Sequence, residues 1–340
     1  MKTLVVGVGS IGRRHAANLR ALDAGPVSLT DVDAARAAQV ARELDVRAVP
    51  SLAAGLDARP DAVIVCTPTH RHLDVARAAV AAGAHVFLEK PVAPSLDGVD
   101  ELADAARRAR RRVYVACNMR FHPGIAAIST ALRAGAVGRA RGYYARFIHS
   151  LPNRRPPGQH YRDTYSAHRS QGGGAILDGV HELDYLRWLE GEVASIDAWA
   201  ARVSGLDMDV EDTAAVMLDF TSGAVGHILL DFVSPVKLRG CEVIGEAGVL
   251  RWASEGKVPE HVRVTCERPG AKPDVLYETD AYDGNDMYVE EMRHFLNAVG
   301  GAATPLADLG DGARALDLAL RALAAADARA ATLTHRMESR

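Results

Sequence analysis

An α/β fold in two parts is predicted for this chain. A doubly wound parallel sheet covers residues 1–120, and an α+β region with a large, open, predominantly antiparallel sheet covers residues 121–330. Three observations lead there. Up to about residue 118, apolar strand-like runs alternate with amphipathic helical runs, the pattern of a parallel sheet covered on both faces. Beyond that point strand-like runs follow one another with turn residues between them and no regular helices. Finally, 340 residues with 48% hydrophobic composition exceed one typical core and suffice for two.

The first element, "TLVVGVG", is a compact apolar strand running straight into "SIGRRHAANLRAL", which has helical spacing. Together they hold Gly7, Gly9 and Gly12, with Ser10 and Ile11 between the last two. This G-x-G-x-x-G spacing permits a tight turn, a close approach by a pyrophosphate and a close helix–sheet contact. Free N–H groups at the helix start would receive the anion. A second strand, "VSLTD", ends at Asp31, about twenty residues on, where a carboxylate can accept from an adenosine ribose. The same charge repels a ribose phosphate and favours NAD over NADP; a helix cap before "DAARAAQVARELD" is the other use for it. The alternation continues through "DAVIVCTP", the helical run 71–82, "AHVFLEKP", "LDGVDELADAARRAR" and "RVYVACN". A parallel sheet binds at the carboxyl ends of its strands, which is where Gly7, Thr67, Pro68, Glu89, Lys90 and Asn118 fall. In "EKP", Pro91 restricts Lys90 to an extended backbone. The lysine is placed either to relay a substrate proton beside Glu89 or to form a structural ion pair at a strand end.

After Phe121-His122-Pro123 a helix runs to about Ala134, followed by strand-like runs at 138–150, 193–205, 212–232 and 238–252. "MYVEEMRHFLNAV" and "GARALDLALRALAAADARA" return to helical spacing, and the latter is expected to pack back on the first domain. Between the first two strand runs lies a polar, proline-rich loop, Leu151 to Gly174, with aromatics Tyr161 and Tyr165 and the cations Arg154, Arg155, Arg162 and Arg169. It suits either an anionic substrate group or a solubilising surface. It leads into "GGGAILDGVHELD". As one helix, this segment sets Asp178 and His181 a turn apart, with Asp184 behind to orient the histidine, and the glycines allow backbone to approach a ligand. The alternative is a satisfied buried polar cluster. A histidine beside a carboxylate suits proton exchange near neutral pH.

The balance of 40 basic and 43 acidic residues argues against nucleic acid or an anionic membrane as partner. Four widely spaced cysteines lack metal-ligand spacing, so no metal is expected, and they suit a reducing compartment such as the cytoplasm. The glycine-punctuated opening lacks the features of an export signal, and no apolar run is long enough to span a bilayer.

The ordered set "GVGSIG", "TDVDAARA", "VIVCTPTHRH", "HVFLEKP", "NMRFHP", "GAVGRARG", "GGGAILDGVHELDYLRW" and "YVEEMRHFLNAV" resembles, over nearly the whole chain, the family named for glucose-fructose oxidoreductase, inositol dehydrogenase and rhizopine catabolism proteins (Gfo/Idh/MocA). The resemblance implies a Rossmann domain, then a domain whose sheet carries helices on one face and commonly forms homodimers or homotetramers through the other. It places the cofactor loop on Gly7, Gly9 and Gly12, the ribose carboxylate on Asp31, and the nicotinamide-side segment on Thr67, Pro68 and His70. The family's lysine falls on Lys90, its substrate-side aspartate on Asp178 and its histidine on His181. Asn118, Arg162 and Tyr165 complete the expected substrate contacts. Many members set the histidine four residues after the aspartate, whereas here it follows by three, which resembles a subgroup acting on modified or acidic sugars. The implied activity is NAD-dependent interconversion of a ring secondary alcohol and ketone on a sugar or cyclitol, with Lys90 or His181 carrying the proton. Glycoside hydrolases that retain NAD and oxidise transiently, and dinucleotide-binding regulators without chemistry, are the alternatives within the resemblance.

Overall fold

The computed structural model describes residues 1–154, 160–255 and 259–338, with side chains omitted for residues 154 and 333–338. Arg155 of the arginine-rich loop lies outside the described residues. The chain divides into two compact units, Met1–Asn118 with Met287–Leu316, and Met119–Asp286 with the remainder from Asp317.

The first unit is a six-stranded sheet of β1 (Thr3–Val6), β2 (Val27–Thr30), β3 (Arg47–Ala48), β4 (Ala62–Val65), β5 (His85–Leu88) and β6 (Val113–Val115). Every pairing is parallel, in the order β3-β2-β1-β4-β5-β6. The strand order reverses between β1 and β4, the switch point at which doubly wound sheets bind ligands. The central strands β1 and β4 are buried at every residue, as sheets covered on both faces require. Helices α1 (Ser10–Ala21), α2 (Ala34–Leu44), α3 (Leu52–Asp57), α4 (His72–Ala81) and α5 (Val99–Ala109) connect the strands. The two-residue edge strand β3, exposed throughout, is too short and polar to stand out in the sequence.

The second unit opens with α6 (Pro123–Arg133), whose Pro123 occupies the first helical turn and whose N-terminus is capped by His122. Eight strands follow: β7 (Ala140–Ser150), β8 (Val193–Ala201), β9 (Thr213–Phe220), β10 (Val225–Asp231), β11 (Val233–Gly245), β12 (Val249–Glu255), β13 (Glu260–Glu267) and β14 (Asp274–Tyr282). Their order is β14-β13-β12-β11-β7-β10-β9-β8, antiparallel except for the β7–β10 pair. Strict alternation in β9 and β10 buries one face and leaves Met217 and Leu229 on the other, beside Tyr144 of β7 and Trp199 of β8. Helix α6 packs on the buried face through Gly124, where any Cβ would sit 2.3 Å from the Trp252 ring.

The glycine-led segment forms two helices, α7 (Ala175–Asp178) and α8 (Val180–Glu190), rather than one. They part at Gly179, where a side chain would strike Leu230. Helix α9 (Asp286–Val299) sets Phe295 against Phe87 and Tyr114 in the first unit, with ring centroids 5.3 and 5.8 Å away. The C-terminal helix is α10 (Leu309–Glu338). All four cysteines are buried and stand outside any disulfide among the described residues, Cys66 and Cys117 in the first unit and Cys241 and Cys266 in the second.

Candidate active site

The carboxyl edge of the parallel sheet gathers the first set of residues. Two of the loop glycines answer to the protein's own packing. A Cβ on Gly7, at φ +86°, would lie 2.7 Å from the Cys66 carbonyl oxygen, and one on Gly12 would lie 1.9 Å from the Gly7 carbonyl oxygen. Gly9 differs, because a Cβ there would meet no atom within 4 Å. Gly9 is also the N-cap of α1, and no side chain caps that helix end. A glycine that no protein atom requires, at an uncapped 12-residue helix, fits a bound pyrophosphate. Ser10 and Ile11 form the first turn.

Asp31 sits at the end of β2 with its side chain 6% exposed. It accepts from the backbone N–H of Val8 at 2.7 Å and from that of Asp33 at 2.9 Å, so it ties β2 to the glycine loop. The helix cap is supplied by Asp33, which accepts from the Arg36 N–H. At the ends of β4 and β6, two buried side-chain oxygens, Thr67 Oγ1 and Asn118 Oδ1, have no hydrogen-bond partner among the described residues. Buried polar atoms without a protein partner are costly, and these two are available to a bound ligand. Pro68 and His70 beside them are exposed.

Glu89 and Lys90 end β5. Glu89 is buried, and its Oε1 lies 2.7 Å from Nε2 of His15, a fully buried residue of α1. Burial pushes the Glu89 carboxyl up, but the His15 hydrogen bond and the nearby charges of His15 and Lys90 outweigh it and hold the pKa below its ordinary value. Glu89 therefore stands as a buried carboxylate next to half-buried Lys90, whose backbone N–H it also accepts at 3.2 Å. The residue type matters. Only 5 of the chain's 40 basic residues are lysine, so a composition that defaults to arginine keeps lysine at position 90. Lysine is the cation that can give up its proton under modest perturbation, which guanidinium cannot.

In the second unit the glycine triplet has an explanation different from ligand approach. A Cβ on Gly173 would lie 2.3 Å from the Tyr165 carbonyl oxygen, and one on Gly174, at φ +109°, 2.4 Å from the Glu211 carboxylate. Glu211 then accepts from the Ile176 N–H at 3.0 Å. The glycines thus seat the loop on the protein's own backbone and on a buried glutamate whose pKa burial raises. Asp178 ends α7 and accepts from the Tyr165 hydroxyl at 2.5 Å, so Tyr165 acts first on Asp178. His181 lies in the first turn of α8, and both it and Asp178 are buried. Asp184 is not the orienting partner of His181: its two oxygens take a fork from Arg120, at 3.0 Å from Nε and 2.6 Å from Nη2, with both side chains almost fully buried. Glu182 likewise holds Arg239 at 2.7 Å. Arg162, exposed, pairs with Asp207 at 3.1 Å and lies over the Tyr161 ring. The sequence reading overlooked His15, His72, Arg120 and Glu211, of which His72 had a usable signal. It falls on the buried stripe His72, Val75, Ala76, Ala79 of α4, an unusual place for an imidazole.

Among the described residues, no group of three or more His, Cys, Asp or Glu is arranged to hold a metal ion, and no helix is long and apolar enough to cross a membrane. Residues 1–117 match the profile of an oxidoreductase family with an NAD-binding Rossmann fold, and residues 125–251 match the GFO/IDH/MocA C-terminal domain. UDP-N-acetylglucosamine 3-dehydrogenase of Acidithiobacillus ferrooxidans is 30% identical over 332 residues, covering 96% of this chain and 98% of that protein. Myo-inositol 2-dehydrogenase of Thermotoga maritima is 28% identical over 327 residues, covering 93% of each. A solved structure of the A. ferrooxidans enzyme superposes with a TM-score of 0.78 at 27% identity, over 96% of this chain and 98% of that one.

Proposed function

Because the chain belongs to the Gfo/Idh/MocA oxidoreductases and carries their NAD-binding Rossmann domain, we propose that it interconverts a ring secondary alcohol and ketone on a sugar, sugar derivative or cyclitol. The observation that carries this reading is the carboxyl edge of the parallel sheet. There a glycine that no protein atom requires and two orphaned buried oxygens stand at the same edge as the half-buried lysine that ends β5.

When bound, the nicotinamide supplies the hydride acceptor in the oxidative direction. The chain's residues bind, orient and handle the proton. The first amides of α1 and Gly9 receive the pyrophosphate, and Asp31 selects the unphosphorylated ribose. Thr67 and Asn118 offer hydrogen bonds at the strand ends. Lys90 takes the proton from the substrate hydroxyl as the carbinol hydride departs, and returns it in reduction, while the Glu89 carboxylate balances its charge. Asp178, steadied by Tyr165, and His181 hold substrate hydroxyls. Arg162 serves the more distant and anionic groups of a modified sugar. The exposed sheet face with Tyr144, Met217 and Leu229 supports a homodimer or homotetramer. Four buried thiols suit the cytoplasm.

The test is incubation with NAD or NADH and a panel of cyclitols, free sugars, sugar acids and nucleotide sugars, following nicotinamide absorbance and products together. A substrate-dependent absorbance change supports the dehydrogenase. Cleavage without net NADH, or tight NADH binding without any turnover, replaces it with a transiently oxidising hydrolase or a sensor.

A further inference from the structure

Resting on the reading of Lys90 as the proton carrier, we propose that His72 is the positioning residue that sets where Lys90 stands, acting through the carbonyl of Pro91. His72 opens α4 and is 1% exposed. Its Nδ1 lies 2.8 Å from the Pro91 carbonyl oxygen and its Nε2 2.8 Å from that of Thr67. One ring therefore spans the segments that leave β4 and β5, the first carrying Thr67 and the second Glu89 and Lys90.

Both partners are carbonyl oxygens, which only accept, and a neutral imidazole has one N–H to give. Burial lowers the ring's pKa, opposed by the two carbonyls and by Glu89 on the β5 side, while His70 on the neighbouring turn adds to the lowering. A neutral ring keeps its proton where an unsatisfied carbonyl costs most. That is the fully buried Pro91 contact, since the Thr67 contact is only partly buried. Pro91 has no N–H, so its carbonyl is the one backbone hydrogen-bonding group that the residue next to Lys90 offers. A ring serving only to fill α4's apolar stripe needs no donor at all.

The substitutions separate these roles. Asparagine sets its amide nitrogen near the position of Nδ1, glutamine near that of Nε2, and phenylalanine fills the ring space without a donor. In the full-length enzyme, His72→Phe is expected to lower kcat by about 100-fold, the scale of an ångström-sized misplacement. His72→Asn should recover kcat to within about fivefold of wild type while His72→Gln does not, with NADH affinity changed by less than about threefold in all three. A second readout needs no substrate. The chain has five lysines, so 13Cε-lysine labelling follows the titration of Lys90 directly. Its midpoint should move in the Phe and Gln variants and return in the Asn variant. Equal behaviour of the Asn and Gln variants, or wild-type kcat and Lys90 titration in a folded Phe variant, overturns the assignment. Should the Phe variant fail to fold, the Asn-against-Gln comparison decides alone. If no substrate is turned over even by the wild type, the proton-carrier reading fails, and the Lys90 titration still decides whether His72 positions it.

Discussion

Truncating Asp184 should lower the melting temperature of the protein by an amount large enough to measure. The sequence places this residue behind His181; the structure gives both its oxygens to Arg120, with side-chain exposures of 1% and 2%. Asp184→Ala removes the carboxylate that takes a fork from a buried guanidinium, and breaking a buried pair from one side costs about 3–5 kcal/mol. Spread over a unit of this size, each kcal/mol is about 2–4 °C in Tm, so a fall of about 6–20 °C is expected. Replacing both partners by apolar residues, Arg120→Met with Asp184→Leu, removes both buried charges together and should regain most of the loss. The assay is thermal and urea unfolding of wild type, both single variants and the double variant, with NADH binding as a check on the first unit. An Asp184→Ala protein that keeps its Tm within about 2 °C, yet loses turnover, would refute the buried-pair reasoning and restore the sequence's assignment.

Gly9→Ala should leave Tm unchanged and weaken NADH binding by at least about tenfold, whereas Gly12→Ala should destabilise or abolish the fold; calorimetry with a melting curve distinguishes them. Asp31→Ser should raise the NADP-to-NAD ratio of kcat/KM by at least about tenfold, and an unchanged ratio would deny Asp31 its selecting role. Glu89 has a folded-state pKa held below its unfolded value, taken as 4.5, so its contribution is complete above that value and is lost as pH falls through the lower folded one. Urea midpoints from pH 6 to pH 3 should therefore fall less steeply for Glu89→Gln than for wild type, and parallel slopes would remove Glu89 from the account.

Much of the first unit was legible because its signals are local. Glycine spacing, fully apolar strands and the strand ends at Thr67 and Lys90 are each read from a few neighbouring positions. What stayed hidden depends on partners distant in the chain. His15 meets Glu89 across 74 residues and Arg120 meets Asp184 across 64, and no spacing rule reaches that far. The glycine triplet shows the same limit from another side. Sequence can say that something approaches Gly174 closely, but only the fold says that it is Glu211. Helical spacing on both sides of Gly179 predicts one helix, and nothing in that spacing marks the break between α7 and α8. Strands β13 and β14 escaped notice because charged residues interrupt them, and β7 pairs in parallel with β10 across a connection that no turn signal marks.

The distribution of the four buried thiols has a practical outcome. Cys66 and Cys117 are sealed in one unit, Cys241 and Cys266 in the other, and none is exposed to a reagent in the native fold. Their alkylation rates therefore report the opening of each half separately, without any engineered label. Mass-resolved trapping under rising denaturant can then tell whether dinucleotide tightens only the half that holds it or slows the labelling of both.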